Sequence, residues 1–218
     1  MKTKSTFSVK KMALLAMLSA ISYVLVCIIR VPVVLFLKYE PKDVIITIGG
    51  FLFGPMAAMI VSVIVSFLEM ITISTTGPLG FIMNALASCS FACMASYIYK
   101  KRRTLGGAIT GLVLGSILMT VVMILWNWLI TPLYMNQSRA DVQAMLIPVF
   151  LPFNALKAGL NTALTLVLYK PIVTGLRKIH LVDTREEHAS SSKIGMYLLA
   201  GALLITCIIL VLVFNGTI

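Results

Sequence analysis

Three polar residues, Asn154, Lys157 and Asn161, interrupt an apolar stretch of the 218-residue sequence and could contact a ligand. Their spacing of three and then four residues places them on one face of an α-helix. The lysine ammonium supplies three hydrogen-bond donors, and the two amides supply donors and acceptors. Such a face suits a polar, planar molecule rich in carbonyl and hydroxyl groups. The alternative is hydrogen bonding between helices, with Lys157 reaching toward the membrane surface; we favour ligand binding.

Other polar or amphipathic residues also lie in apolar stretches. Glu69 falls near the predicted outer end of a helix, where we expect it to lie at an interface near water. Asn84 is compatible with either ligand binding or helix packing. Asn127 lies between Trp126 and Trp128, which could stack on an aromatic ligand. Tryptophans are also common at membrane–water interfaces, and we expect that role for at least one of them.

The composition indicates the environment in which these residues lie. Sixty per cent of the residues are apolar and 11% are charged, with a mean hydropathy of +1.03. A soluble domain of this size would expose large apolar patches and aggregate. We therefore predict an all-α integral membrane protein. The sequence contains no Gly-x-x-x-x-Gly-Lys-Ser/Thr loop, no pair of carboxylates within a predicted span and no zinc motif, and its four cysteines lie in apolar stretches. We predict no enzyme activity, metal or cofactor.

Seven stretches are candidates for membrane-spanning helices, although the second is short. The chain from Asp43 to Met70 is divided into two by a predicted turn at Gly54-Pro55. The other spans are Met12–Ile29, Leu79–Tyr99, Leu105–Thr131, Ala144–Tyr169 and Ile194–Phe214. We expect residues 1–178 to form a six-span substrate-binding bundle, residues 179–193 a cytoplasmic linker, and residues 194–218 an additional C-terminal transmembrane helix.

The distribution of positive charge predicts the orientation. The chain has 18 Lys and Arg against seven Asp and Glu, a formal net charge of +11. Most of the basic residues fall in one set of predicted loops: Lys2, Lys4, Lys10, Lys11, Lys100, Lys101, Arg102, Arg103, Lys170, Arg177, Lys178, Arg185 and Lys193. The opposite loops carry Arg30, Lys38, Lys42 and Arg139. The positive-inside rule then predicts a cytoplasmic N-terminus and an extracellular C-terminus, and it explains the charge without a nucleic-acid partner.

Small residues recur at the spacing that lets membrane helices approach closely. Ala16 and Ala20 are one helical turn apart, and Gly107, Gly111 and Gly115 repeat at intervals of four. Such residues either pack helices within one bundle or dock the chain on another membrane protein. The spacing leaves both possibilities open.

Several segments resemble one known family. Residues 37–44 read Leu-Lys-Tyr-Glu-Pro-Lys-Asp-Val, residues 48–55 read Ile-Gly-Gly-Phe-Leu-Phe-Gly-Pro, and residues 151–157 read Leu-Pro-Phe-Asn-Ala-Leu-Lys. They are similar, in the same order, to segments of the substrate-binding S components of energy-coupling factor (ECF) vitamin transporters. The riboflavin-specific members are the most similar. The resemblance covers about residues 10 to 178.

This resemblance implies a six-helix bundle that captures riboflavin, as transported ligand, from outside the cell. Uptake would be driven by a transmembrane coupling protein and two cytosolic ATPase subunits. The resemblance also implies roles for individual residues. By this resemblance, Asn127, Asn154 and Lys157 match positions that bind the flavin. Leu37, Tyr39 and Asp43 belong to a loop that would help to close the pocket, and Asn84 matches the entry of the fourth helix. Ala16 and Ala20 match the pair that docks on the coupling protein.

The sequence also departs from the family pattern. Glu40, Lys42 and Ile45 replace the usual Asp, Ser and Pro, and Glu69 lies in a segment where riboflavin relatives carry Lys-Asn. The span from Ile194 follows the six helices of the family. These differences leave open an S component for another vitamin or precursor. A structural or assembly membrane protein is a further alternative.

Overall fold

A computed structural model describes residues 9–34, 37–135, 138–178 and 193–214. Apolar sequence of spanning length gives long helices, because in lipid each backbone amide must find its partner within the same helix. The α-helices are α1 (Val9–Ile28), α2 (Lys42–Phe53), α3 (Pro55–Thr72), α4 (Gly77–Arg102), α5 (Leu105–Leu129), α6 (Thr131–Met135), α7 (Arg139–Met145), α8 (Leu151–Lys178) and α9 (Lys193–Phe214).

The turn between α2 and α3 confirms the predicted break. Gly54 adopts a φ of 96°, a left-handed conformation that favours glycine, and its amide donates to the carbonyl of Gly50. Pro55 begins α3, where its fixed φ suits the first helical turn and its missing N–H costs nothing. Two antiparallel helices therefore form where one long apolar stretch stands in the sequence.

The helices lie at the predicted places. Among the described residues, five stretches are long and apolar enough to cross a membrane. The chain is therefore a multi-pass membrane protein. The 12 residues of α2 are short for a span, and α9 has 22 residues. The count of six spans plus one stays a prediction.

A short β-hairpin interrupts the predicted all-helical fold. Strand β1 (Val31–Val34) pairs antiparallel with β2 (Leu37–Tyr39), with Val31 opposite Tyr39. The sequence predicts a loop here, because strands of four and three residues are too short to establish a strand pattern. The hairpin connects α1 to α2 and carries Leu37 and Tyr39, two of the predicted site residues.

The predicted sixth span is longer and less regular than expected. Helix α7, a π-helical turn at Leu146–Phe150 and helix α8 follow one another without a break. Pro148 lies in the π-helical turn; it has no N–H to donate to the usual helical bond. Helix α8 continues to Lys178, and most of the predicted linker, residues 179–192, lies outside the described residues.

The glycine repeat of α5 packs inside the bundle. A Cβ atom added at Gly111 would lie 2.7 Å from the carbonyl oxygen of Ala95, and one added at Gly115 would lie 2.6 Å from that of Phe91. Backbone contact with α4 therefore requires glycine at both positions. By contrast, Ala16 and Ala20 lie on the exposed face of α1.

Candidate functional site

Asp43 is the centre of a buried polar cluster at the hairpin end of the bundle. It lies in the first turn of α2 and is fully buried. One carboxylate oxygen accepts a hydrogen bond from the Ser88 hydroxyl of α4, and the other accepts one from Asn161 Nδ2 at 3.1 Å. Lys157 Nζ lies 3.9 Å from the second oxygen. Asp43 thus joins three helices and positions the lysine.

Lys157 retains hydrogen-bonding capacity toward a ligand. Its 3.9 Å distance to Asp43 is an ion pair and exceeds hydrogen-bond length. Among the residues that the structure describes, no hydrogen bond to this ammonium is found. Lys157 is only 8% exposed, so its side chain does not reach toward the membrane surface. A buried ammonium beside one carboxylate is well suited to an acceptor-rich ligand.

Tyr39 connects the hairpin to this cluster. Its hydroxyl donates to Asn161 Oδ1 at 3.0 Å, so the amide of Asn161 bridges Tyr39 and Asp43. Burial, followed by the nearby charge of Asp43, raises the pKa of the Tyr39 hydroxyl, which therefore stays protonated and able to donate. Leu37, on the same strand, packs half-buried against the apolar cluster around Tyr39. Asn161 was predicted on the polar face but not as a link to the hairpin.

A second buried cluster lies beside the first. Lys42 Nζ is 2.6 Å from both carboxylate oxygens of Glu69, and Asn84 Nδ2 donates to the same carboxylate at 2.8 Å. The prediction that Glu69 lies near water is wrong, since Glu69 is 1% exposed. The reason is the fully buried Lys42 ammonium, which neutralises the carboxylate inside the bundle. The Asn84 amide therefore donates a hydrogen bond to Glu69 in this structure.

The clusters continue to the base of the hairpin. Glu40, directly after β2, lies 3.6 Å from Lys42 through one oxygen and 2.9 Å from Arg30 through the other. Arg30 directly precedes β1. The Arg30–Glu40 ion pair therefore joins the two ends of the hairpin. The sequence does not reveal this contact, because the two residues are ten positions apart.

Asn127 and Asn154 hydrogen-bond within their own helical segments. Asn127 donates to the Met123 carbonyl at 2.8 Å and accepts from the Thr131 hydroxyl at 2.9 Å. Asn154 donates to the Phe150 carbonyl at 2.7 Å, at the junction between the π-helical turn and α8. Both side chains are buried. π-Helical turns within α-helices are often found at functional sites.

The two tryptophans of α5 differ in their surroundings. Trp128 is exposed, as expected for a residue in contact with lipid or its headgroups. Trp126 packs against the apolar core, and its indole Nε1 is buried without a hydrogen-bond partner among the described residues. A buried N–H without a partner is costly, so a ligand acceptor at this position would be favourable.

The chemistry of the site is that of binding. Among the described residues, no group of three histidine, cysteine or acidic side chains could hold a metal ion. The buried set offers an ammonium, amides, hydroxyls and an indole N–H, all of which can hydrogen-bond a neutral polar molecule. The clusters bring together Asp43, Lys157 and Tyr39; Asn84 lies in the second cluster.

Comparison with known proteins identifies the family. Residues 10–169 match the family model described as "ECF transporter, substrate-specific component". The chain belongs to this family. It is therefore the substrate-binding component of a membrane transporter and not an enzyme.

Curated relatives support the same assignment. The chain is 32% identical over 179 residues to the riboflavin transporter RibU of Staphylococcus aureus (strain TCH60), an alignment covering 78% of this chain and 94% of the relative. It is 28% identical over 188 residues to the riboflavin transporter FmnP of Bacillus subtilis (strain 168), covering 79% and 98%.

A solved structure gives the same result for the fold. The matching chain comes from a study of the structure and mechanism of the S component of a bacterial ECF transporter. The two chains are 32% identical in sequence and superpose with a TM-score of 0.65. The match covers 77% of this chain and 98% of the solved one. The family resemblance inferred from the sequence motifs is confirmed.

Proposed function

We propose that this S component captures riboflavin, or a close flavin, from outside the cell for ATP-driven uptake by partner subunits. The observation that carries the proposal is the buried polar face of α8, where the Lys157 ammonium lies 3.9 Å from Asp43 and the Asn154 amide is also buried. The riboflavin names of the relatives support the choice of ligand.

In this proposal the ligand contacts are divided among three elements. Lys157 donates from α8, Asn154 accepts through its amide oxygen, and Asn127 hydrogen-bonds from the end of α5. Trp126 supplies an additional N–H donor. Tyr39 and Leu37 cover the site from the hairpin, while Asp43 holds Lys157 in place.

The substituted residues Lys42 and Glu69 do not favour another vitamin. Each neutralises the other inside the bundle, and together they offer a ligand no net charge. For this reason riboflavin ranks ahead of other vitamins, which serve as competitors in the test.

We further propose that the exposed face of α1 docks on a transmembrane coupling protein driven by two ATPase subunits. Ala16 and Ala20 leave this face shallow, while Leu14, Leu15 and Leu18 anchor α1 in the bundle. The orientation that fits has a cytoplasmic N-terminus, the hairpin outside and an extracellular C-terminus. The lipid bilayer surrounds the remaining exposed apolar side chains.

A titration in detergent tests the ligand assignment. Riboflavin fluorescence should be quenched as the protein is added, with saturation at one flavin per chain. A panel of other vitamins should fail to compete, whereas a close flavin should compete. Absence of riboflavin quenching, together with direct binding of another vitamin in a calorimetric titration, would replace the ligand and keep the fold.

A further inference from the structure

Helix α9 lies outside the segment that matches the family model, yet it contacts the elements that carry the candidate site. The match to the family ends at residue 169, and α9 spans Lys193–Phe214. A helix added only to anchor the chain would need no particular partner within the bundle. Instead α9 packs along α8 and reaches β1.

The described side chains of α9 separate into two faces. One face is buried or half-buried and recurs at helical spacing: Ala200, Leu203, Leu204, Cys207 and Val211. The other face is exposed: Ile205, Ile208 and Ile209. Such a division is typical of a helix with one packed side and one side facing lipid.

The packed face of α9 meets the hairpin and α8 in one apolar cluster. Cys207 is buried together with Val33 and Tyr39 of the hairpin, and Leu203, Leu204 and Val211 pack against this cluster. Helix α8 contributes Phe153, Leu156 and Leu160. A Cβ atom added at Gly159 would lie 3.1 Å from Cys207 Sγ, which shows how closely α9 approaches α8.

The candidate site is closed to water in this structure. Asn127, Asn154 and Lys157 are between 4% and 8% exposed, so an incoming molecule cannot reach them in this conformation. The hairpin is held over α8 by the Tyr39–Asn161 hydrogen bond and by the apolar cluster with α9. Lifting the hairpin separates it from both.

We propose that α9 is a positioning helix, which holds the hairpin closed and thereby sets the rate of ligand entry and exit. The inference rests on the proposed riboflavin binding. Leu204 and Val211 act through the hairpin and do not touch the ligand. Weakening their contacts stabilises the open hairpin relative to the closed one, so association and dissociation both become faster.

A matched pair of double variants tests this role in the full-length chain. Leu204→Ala with Val211→Ala truncates two side chains on the packed face. Ile205→Ala with Ile209→Ala removes a similar side-chain volume from the exposed face. Riboflavin association and dissociation are followed by flavin fluorescence after rapid mixing. For the packed-face variant we expect both rates to rise at least about fivefold, which corresponds to about 1 kcal/mol less stabilisation of closure. The exposed-face variant should keep the rates of the unsubstituted protein.

The outcomes separate the inference from the function on which it rests. Equal rates in both variants, with riboflavin still bound, would overturn the role of α9 and leave the proposed function intact. Failure of the unsubstituted chain to bind riboflavin would overturn both. If the packed-face variant does not fold, the rate of alkylation of Cys207 in the unsubstituted chain tests the inference instead. Bound riboflavin should then slow N-ethylmaleimide modification of Cys207 several-fold relative to the exposed Cys27, and an unchanged ratio would overturn the inference.

Discussion

The hairpin end of the bundle and the opposite end, near the Gly54 turn, are stabilised in different ways. At the hairpin end, Lys42, Glu69 and Asp43 are buried and joined by ion pairs and hydrogen bonds. Toward the opposite end, Gly111 and Gly115 of α5 bring its backbone into contact with α4. The same helices therefore carry polar contacts in one half and close backbone packing in the other.

This difference indicates a division of labour. Burying charges in a membrane protein is expensive and gives less stability than apolar packing, so we expect the polar half to serve ligand recognition. In the packed half, Phe51, Tyr99 and Tyr169 form an aromatic cluster, and the hydroxyls of Tyr99 and Tyr169 are hydrogen-bonded to each other. We expect substitutions in the two halves to separate stability from binding.

The largest effect should follow from breaking the buried ion pair. Glu69→Ala leaves Lys42 buried without its carboxylate and should lower the free energy of unfolding by about 3–5 kcal/mol. Denaturant unfolding in detergent measures the change. The double variant Lys42→Met with Glu69→Leu removes both charges and should recover most of the stability. A single variant as stable as the unsubstituted protein would show that the pair contributes nothing.

Removal of the proposed ligand contacts should act on affinity. Lys157→Ala and Asn154→Ala should each weaken riboflavin binding by about 1–3 kcal/mol, because a ligand group loses its partner. Fluorescence titration gives the dissociation constants. Lys170→Ala, on the exposed end of the same helix, is the control and should bind normally. Unchanged affinity in both site variants would contradict the site.

A substitution in the packed half should have the opposite pattern. Gly111→Ala forces a methyl group against the Ala95 carbonyl and should lower stability by about 1–2 kcal/mol, as overpacking does. The folded fraction should bind riboflavin with normal affinity. Gly106→Ala meets no atom nearer than 4.0 Å and should cost no stability. Lower affinity without lower stability in Gly111→Ala would erase the distinction between the two halves.

The smallest effect concerns the indole of Trp126. Trp126→Phe removes an N–H that lacks a partner in the described residues and should weaken riboflavin binding by about 1 kcal/mol. Stability without ligand should not fall, because no existing hydrogen bond is lost. Trp128→Phe, at an exposed position, should leave affinity unchanged. Equal affinities for both variants would remove Trp126 from the site.

Much of the fold follows from local sequence. The length of each apolar stretch and the Gly54-Pro55 break predict where helices begin and end, since helix formation in lipid depends on nearby residues. The short strands of the hairpin carry no such pattern. The path from Arg139 to Lys178 also differs from expectation, because the π-helical turn depends on local backbone geometry around Pro148.

The site was predictable to a lesser extent. The polar face of Asn154, Lys157 and Asn161 is visible because these residues share one helix. Their partners are distant in the chain: Asp43 lies 118 residues from Asn161, and Tyr39 lies 122 residues from it. The burial of Glu69 was missed for the same reason, since its position depends on Lys42, 27 residues away.

The most direct test of riboflavin capture is the visible absorption of the full-length protein purified from riboflavin-containing medium. The purified protein should be yellow, its flavin bands should remain after extensive washing, and its flavin content should approach one per chain. Parallel purification of Lys157→Ala should yield much less flavin. A colourless, folded protein that also fails to quench added riboflavin fluorescence would contradict the account.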